Sequence, residues 1–230
     1  MHSRNRVSRN LMVLIGTMAI GGCSTDFGTA PTPKANVALS AGVVHQLVKA
    51  AHEGLEIDTA KILVRSITFR LAGNDDSVDV EGGSVVIRLV PGNPAVNVAV
   101  ARITPGTYDR LRFEIRKPED LEIPPDPDFR EGSSGNQRYS VVIKGRYEDT
   151  AFVYKSRVEF EVELHLETPL TVSEDGIARI TFTFDPYACF GHHGILFDPR
   201  DAVNAAAIDP SIKGAFQRAF RDDDGNGEPD

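Results

Sequence analysis

The chain has 230 residues, with 33 acidic against 25 basic side chains and a formal net charge of −8. Such an anionic surface argues against nucleic acid as a partner, since the phosphate backbone needs a basic surface. It also argues against a polybasic contact with a membrane.

The first residues have the pattern of a secretion signal. Arg4, Arg6 and Arg9 precede the apolar run Leu11–Ile20, which is too short to span a membrane as a helix. The following "AIGGC" ends at Cys23 and resembles the lipobox of bacterial lipoproteins. The resemblance implies cleavage before Cys23, a diacylglycerol on its sulfur and an acylated amino terminus. An ordinary secretory signal that contains a cysteine is the alternative.

Acyl chains on Cys23 would hold the protein on a membrane. Ser24 stands where an aspartate would indicate retention in the inner membrane, which favours the outer membrane of a Gram-negative envelope. Removal of residues 1–22 leaves 22 basic against 33 acidic residues, a net charge of about −11. Cys189 is then the other cysteine of the chain, so no intrachain disulfide is expected.

Composition divides the mature chain into four parts. Residues 23–36 form a lipidated cysteine and a flexible tether, 37–184 a β-sandwich domain, 185–221 a helical or loop appendage, and 222–230 an acidic tail. Near the start of the domain, Val43–Leu55 predicts a short helix that Gly54 ends.

Hydrophobic residues then alternate with polar ones. The segments "KILVRSITFRL", "YDRLRFEIRK", "VEFEVELHLE" and "IARITFTF" alternate, and "GSVVIRLV" is a short apolar strand. Because one buried and one wet face is typical of antiparallel sheets, the pattern predicts an antiparallel β-sandwich. The predicted inward residues are Leu63, Ile67, Phe69, Leu71, Leu111, Phe113, Ile115, Val158, Phe160, Val162, Leu164, Leu166, Ile180, Phe182 and Phe184.

Two loops stand out. Lys117–Gln137 is a long polar segment without periodicity. The turn Pro105–Tyr108 ("PGTY") launches an alternating strand, as in uncharacterised bacterial lipoprotein domains with a transthyretin-like or carboxypeptidase-regulatory-like sandwich. That resemblance covers about fifty residues and implies a fold without an established chemistry.

The patterns in the last third of the sequence predict helices. Three Asp-Pro pairs, at 185, 198 and 209, each have the pattern of an N-cap followed by proline. After the last pair, "SIKGAFQRAF" places apolar residues at helical spacing. The predicted stripe is Ile212, Ala215, Phe216, Ala219 and Phe220.

The segment "CFGHHG" combines Cys189, His192 and His193. A thiolate and imidazoles can bind copper or zinc, and His165 from another strand could complete such a site. The alternative is a buried cysteine that acts as a small hydrophobe beside a tight glycine turn.

Catalytic motifs are absent from the sequence: there is no Gly-x-Ser-x-Gly, phosphate-binding glycine loop or His-Glu-x-x-His. Glu159, Glu161 and Glu163 share one strand face and would serve an envelope hydrolase as paired acids. Solvation and protection of a strand edge explain the same row.

The final segment "DDDGNGEPD" has the spacing of a calcium loop. Asp222, Asp224 and Asn226 occupy positions one, three and five, and Gly227 and Asp230 occupy six and nine. Position twelve of an EF-hand lies beyond Asp230. The better resemblance is to one thrombospondin type 3 repeat, which implies calcium on the carboxylates, Glu228 included. A solvated acidic tail is the equal alternative.

Together these patterns favour a lipid-anchored envelope protein with a non-enzymatic binding or structural role, its partner an envelope protein or a glycan. A periplasmic copper or zinc handler and an envelope hydrolase are the rival hypotheses. Paired carboxylates of raised pKa in a cleft would favour the hydrolase, and a flat charged sheet would not.

Overall fold

The computed structural model describes residues 35–43, 54–73, 76–80, 83–174, 176–192 and 194–230. Within them lie one α-helix and thirteen strands. The helix α1 is Ala205–Gly214. The strands are β1 Ala35–Val43, β2 Leu55–Leu71, β3 Ser77–Asp79, β4 Val85–Leu89, β5 Val96–Ile103, β6 Gly106–Ile115, β7 Val141–Tyr147, β8 Thr150–Ser156, β9 Phe160–Val172, β10 Ile177–Phe184, β11 Gly191–His192, β12 Ile195–Leu196 and β13 Phe216–Arg221.

The prediction of a mainly-β chain with a small C-terminal helix is confirmed. The signal segment, Cys23 and the tether lie outside the described residues, as does most of the helix predicted over Val43–Leu55. No helix in the described ranges is long and apolar enough to cross a membrane.

Eleven strands form one sheet in the order β5-β1-β10-β13-β9-β6-β2-β7-β8, with β3 and β4 also bonded to β2. Two pairs, β1 with β10 and β13 with β9, are parallel. The sheet is therefore mixed, whereas the sequence predicted antiparallel pairing throughout. The sheet also curls. Strand β4 is bonded to β2, yet it packs beside β5 and β1, which stand at the other end of the strand order.

The core lies inside this curled sheet, where the alternation predicted it. Leu111, Phe113 and Ile115 of β6 are fully buried, as are the three predicted residues of β10. On β9, Val162, Leu164 and Leu166 face inward and Phe160 is only partly buried, as is Val158 just before the strand. One face of each of these strands thus supplies the main core.

The face predicted for the first half of β2 is wrong at Leu63. Pairing with the neighbouring strands shifts near Asp58 and near Arg65, which inserts an extra residue at each point. A shift of one residue moves every later side chain to the other face. Ile62 and Val64 therefore join the main core, and Leu63 packs on the outer face in a small cluster with Phe129, Tyr139 and Val142.

The polar segment 117–137 is tied to the outer face of the sheet by ion pairs. Lys61 and Lys144 each place Nζ 2.7 Å from a carboxylate oxygen of Asp128, and Arg65 donates to Glu122. Hydrogen bonds from Lys144 and Lys61 lower the pKa of Asp128 to about 2. Asp128 and Glu122 are thus paired with basic residues of the sheet beneath the segment.

The helix predicted to start after Asp209-Pro210 is wrongly placed. α1 begins earlier, contains Pro210 and ends at Gly214. Phe216–Arg221 is strand β13, which lies between β10 and β9 in the middle of the sheet. Ala219 pairs with both Phe182 and Leu166. Burial between two strands outweighs the helical spacing of the apolar residues.

The Asp-Pro pairs behave in two ways. Asp185 and Asp198 accept backbone N–H groups two residues ahead, at 3.0 Å from Tyr187 and 2.8 Å from Arg200. They stabilise turns and do not begin helices. Asp209 lies inside α1, and its Oδ1 accepts the hydroxyls of Tyr154 at 2.7 Å and Ser156 at 2.6 Å. These bonds fasten α1 to the edge strand β8.

Replacement of Arg138 by methionine is expected to raise the melting temperature. Arg138 is fully buried, and none of its three guanidinium nitrogens has a hydrogen-bond partner among the described residues. A buried polar group without a partner costs about 1–3 kcal/mol, and a charged group costs more, so an apolar side chain of similar volume should be more stable here. Calorimetric melting measures the change. A melting temperature lowered by the substitution would show that the guanidinium has a stabilising partner.

Candidate metal centre

The acidic row predicted for a hydrolase lies on a charged outer sheet face. Glu159 pairs with Lys117 and Glu161 with Arg112. Glu163 lies between Arg70 at 3.1 Å and Arg110 at 3.8 Å. Each carboxylate is matched to a neighbouring cation, as expected for cross-strand pairs on a wet face. This arrangement favours a structural role for the row.

Of the residues predicted as soft ligands, the structure describes Cys189, His165 and the backbone of His192. Cys189 is fully buried, and burial raises the pKa of its thiol, which keeps the sulfur protonated. The thiolate is the form that binds copper or zinc. Gly191–His192 forms the short strand β11, and His165 is exposed on β9. The side chain of His192 and the residue His193 lie outside the description. The buried thiol fits the alternative of a small core hydrophobe.

The segment 222–230, here called the acidic loop, begins directly after β13. The side chain of Asp222 is 1% exposed. Its Oδ2 accepts the Thr181 hydroxyl of β10 at 2.5 Å and the backbone N–H of Gly227 at 3.2 Å. Its Oδ1 is buried and has no hydrogen-bond partner among the described residues. A carboxylate oxygen in this state is costly unless a cation or a donor reaches it.

Local hydrogen bonds close the acidic loop. The backbone N–H of Asp230 donates to the carbonyl of Arg221 at 3.2 Å, and the Asp230 carboxylate accepts the N–H of Asp223. Gly225 and Gly227 have φ of 72° and 84°, the left-handed region that favours glycine. The chain therefore turns back on itself, and the bond from Gly227 directs the Asp222 carboxylate to the inside of the loop.

The remaining calcium-spaced residues hold the backbone in this conformation. Asp224 Oδ1 accepts the N–H of Asn226 at 3.1 Å, and Asn226 Oδ1 accepts the N–H of Glu228 at 2.7 Å. In the described part of the chain, no three histidine, cysteine, aspartate or glutamate side chains converge on one point. Asp224 Oδ1 and Asn226 Oδ1 would share their lone pairs between a backbone N–H and an ion, whereas Asp222 Oδ1 has no hydrogen-bond partner among the described residues.

The metal ligands that this loop can offer are all oxygen atoms: those of the carboxylates, of the Asn226 side-chain carbonyl and of the backbone carbonyls. Such a set suits a hard cation, and calcium in particular accepts irregular oxygen shells of six to eight ligands. The sequence spacing identified these residues. It did not show that Asp222 is buried or that Thr181 holds it, because that contact joins residues 41 positions apart.

The fold and this site define a mainly-β protein with a candidate hard-cation loop at its C-terminal strand. No protein-family model matches the sequence, and no curated protein sequence matches it. Among solved structures, the chain is similar to MbnP from Methylosinus trichosporium, with a TM-score of 0.40 and 11% identity over 65% of this chain and 75% of that one. A likeness at this level carries no argument about function.

Proposed function

We propose that this chain is a non-catalytic calcium-binding module of the bacterial envelope, held at the outer membrane by lipid on Cys23. The observation that carries the calcium site is the buried Asp222 carboxylate, with one oxygen unpartnered among the described residues, at the first position of a calcium-spaced loop. The signal pattern before Cys23 supports the envelope location.

The site is suited to moderate affinity. Extracellular calcium modules bind with dissociation constants of about 10⁻⁴ to 10⁻³ M, and here Asp224 and Asn226 offer an ion oxygens that also accept backbone N–H groups. Because Asp222 is bonded to Thr181 of β10 and follows β13 directly, a bound ion would fasten the end of β13 to its neighbour. Calcium would thus stabilise a central strand as well as the acidic loop.

Calcium is expected to bind with measurable heat and to raise the melting temperature of the wild-type protein. At a free calcium concentration ten times the dissociation constant, binding raises the free energy of unfolding by about 1.4 kcal/mol. Asp222→Asn should lose both effects, because the amide supplies one neutral oxygen in place of the carboxylate. A chain ended at Arg221 should lose them as well. Calorimetric titration and melting with and without calcium measure both.

The control is Glu174→Gln, which removes an exposed acid in the turn between β9 and β10, outside the acidic loop. It should bind calcium as the wild type does. Equal heats and equal calcium-dependent melting for the wild type and Asp222→Asn would show that the loop is a solvated tail.

Cys23→Ala is expected to abolish lipid labelling and to shift the protein from the membrane fraction to unprocessed or soluble forms, since position 23 then has no thiol to carry diacylglycerol. Ser24→Ala is the matched control and should stay lipidated. Radiolabelled fatty acid and membrane fractionation measure the outcome. Membrane retention with normal processing in Cys23→Ala would contradict the lipid anchor.

A further inference from the structure

A cleft opens where β13 ends between its two neighbours. β13 stops at Arg221, which pairs with Ile180 of β10, while β10 begins three residues earlier at Ile177. On the other side β13 is paired with β9 at Ala219 and Leu166, and β9 runs on to Val172. The two outer strands therefore extend beyond the strand between them, and their ends line the gap together with Arg221 and Asp223.

This gap has a volume of about 490 Å³. Its walls include the hydroxyl residues Thr171 and Ser173 from the end of β9 and two arginines, Arg179 of β10 and Arg221 of β13. Pockets of about 300–1,000 Å³ hold small ligands. The cleft therefore has room for one or two sugar-sized units.

The two guanidinium groups meet at the same residue of the acidic loop. Arg179 Nη1 donates to the Asp223 carbonyl at 2.9 Å, and Arg221 Nη2 pairs with the Asp223 carboxylate. A guanidinium has five N–H donors in a planar fork that matches carboxylate and phosphate groups. Each of these contacts uses only part of that fork, and both arginines are exposed on the cleft.

The surroundings oppose an anion until the acidic loop is neutralised. Asp223 lines the cleft, and it belongs to the nine-residue acidic loop with Asp222, Asp224, Glu228 and Asp230, in a chain of net charge −8. Their field repels a negatively charged ligand. A bound divalent cation would reduce the charge of these five carboxylates from −5 to −3 and so weaken the repulsion at the two guanidinium groups.

We propose that this cleft binds a small polyhydroxy ligand that carries an oxyanion, such as an acidic sugar unit, and that it does so when calcium occupies the acidic loop. Arg179 and Arg221 bind the oxyanion, and Thr171 and Ser173 bind ligand hydroxyls. The calcium dependence rests on the proposed function, while the arginine cleft does not. Binding of an oxyanion is inferred because two arginine side chains line the same cleft in a protein of negative net charge.

Titration calorimetry with glucuronate, glucose and inorganic phosphate, each with and without 10 mM calcium, tests this. Glucuronate is expected to bind in calcium at least tenfold more tightly than glucose, because glucose lacks the carboxylate. Arg221→Gln and Arg179→Gln should each weaken glucuronate at least tenfold. Arg218→Gln, on the same strand but paired with Glu167, is the control and should leave binding unchanged.

Binding of phosphate together with glucuronate identifies the oxyanion as the recognised group, and binding of glucuronate alone adds selection for the sugar. Both results support the cleft. Equal affinity for glucose and glucuronate, or equal losses in the Arg218 and Arg221 variants, would overturn it.

The two proposals fail separately. Calcium heats without glucuronate binding overturn the cleft and leave the metal site standing. Glucuronate binding that persists without calcium, or in Asp222→Asn, overturns the calcium dependence. The same binding in a protein that gives no calcium heats would refute the metal site and keep the arginine cleft.

Discussion

Replacing Phe216 with alanine is expected to destabilise the protein by about 3–5 kcal/mol, the usual cost of removing a core aromatic ring. Phe216 is 5% exposed. Its ring centroid lies 5.0 Å from that of Phe184, 5.9 Å from Phe113 and 6.2 Å from Phe182. The ring therefore joins β13 to β10 and β6 at the centre of the sheet. Urea unfolding followed by circular dichroism measures the change in free energy.

Gln217→Ala is the matched control on the next residue. Gln217 is exposed and its side chain donates to the Gly214 carbonyl, so the change should stay within about 0.5 kcal/mol. Similar losses for Phe216→Ala and Gln217→Ala would contradict the placement of β13 within the sheet.

Asp209→Ala is expected to cost about 2–4 kcal/mol, because two buried hydroxyls lose their acceptor at once and an unsatisfied buried group costs about 1–3 kcal/mol. Tyr154 and Ser156 are 6% and 1% exposed, and both donate to Asp209 Oδ1. Burial, followed by the hydrogen bond to Asp209, raises the pKa of Tyr154, so its hydroxyl remains a donor. Urea unfolding measures this loss as well.

Asp209→Asn keeps one acceptor oxygen and should lose less than the alanine variant. Asp201→Ala is the second control, since Asp201 caps an exposed turn through the N–H of Val203 and should cost about 1 kcal/mol. If Asp209→Ala costs no more than Asp201→Ala, the two hydroxyls have found other acceptors and α1 is held by packing alone.

Strands with regular alternation could be predicted from the sequence. On β6, β9 and β10 the inward side chains follow a period of two, and the structure buries nearly all of them. Period-two alternation determines faces wherever pairing is regular. Phe160 is the partial exception, since it stands at the start of β9, where the core ends.

The faces of β2 and the strand β13 could not be predicted from the sequence, because their pairing or burial is irregular. The extra residues in β2 reverse its faces around Leu63, and nothing in "KILVRSITFRL" marks where the neighbouring strands shift. The burial of β13 is also irregular, with Phe216, Ala219 and Phe220 buried, and this spacing matches a helical stripe. The choice between helix and strand there depended on β9 and β10, which lie far away in sequence.

The candidate site also has features that the sequence predicts and features that only the tertiary structure shows. The residue types and spacing of 222–230 indicate a hard-cation loop, because the preference of calcium for oxygen ligands is local chemistry. The burial of Asp222 against Thr181 and the arginine cleft depend on where β13 ends between two longer strands. Those contacts required the assembled sheet.

The sequence by itself determined that this is a mainly-β chain, which faces of β6, β9 and β10 form the core, and that its end carries calcium-spaced oxygens. Each follows from side-chain periodicity or ligand chemistry over fewer than fifteen residues. Only the tertiary structure decided the mixed strand order, the central position of β13 and the burial of Asp222. Each of these depends on hydrogen bonds and packing between segments distant in the chain, which compete with local preference and outweigh it where burial is complete.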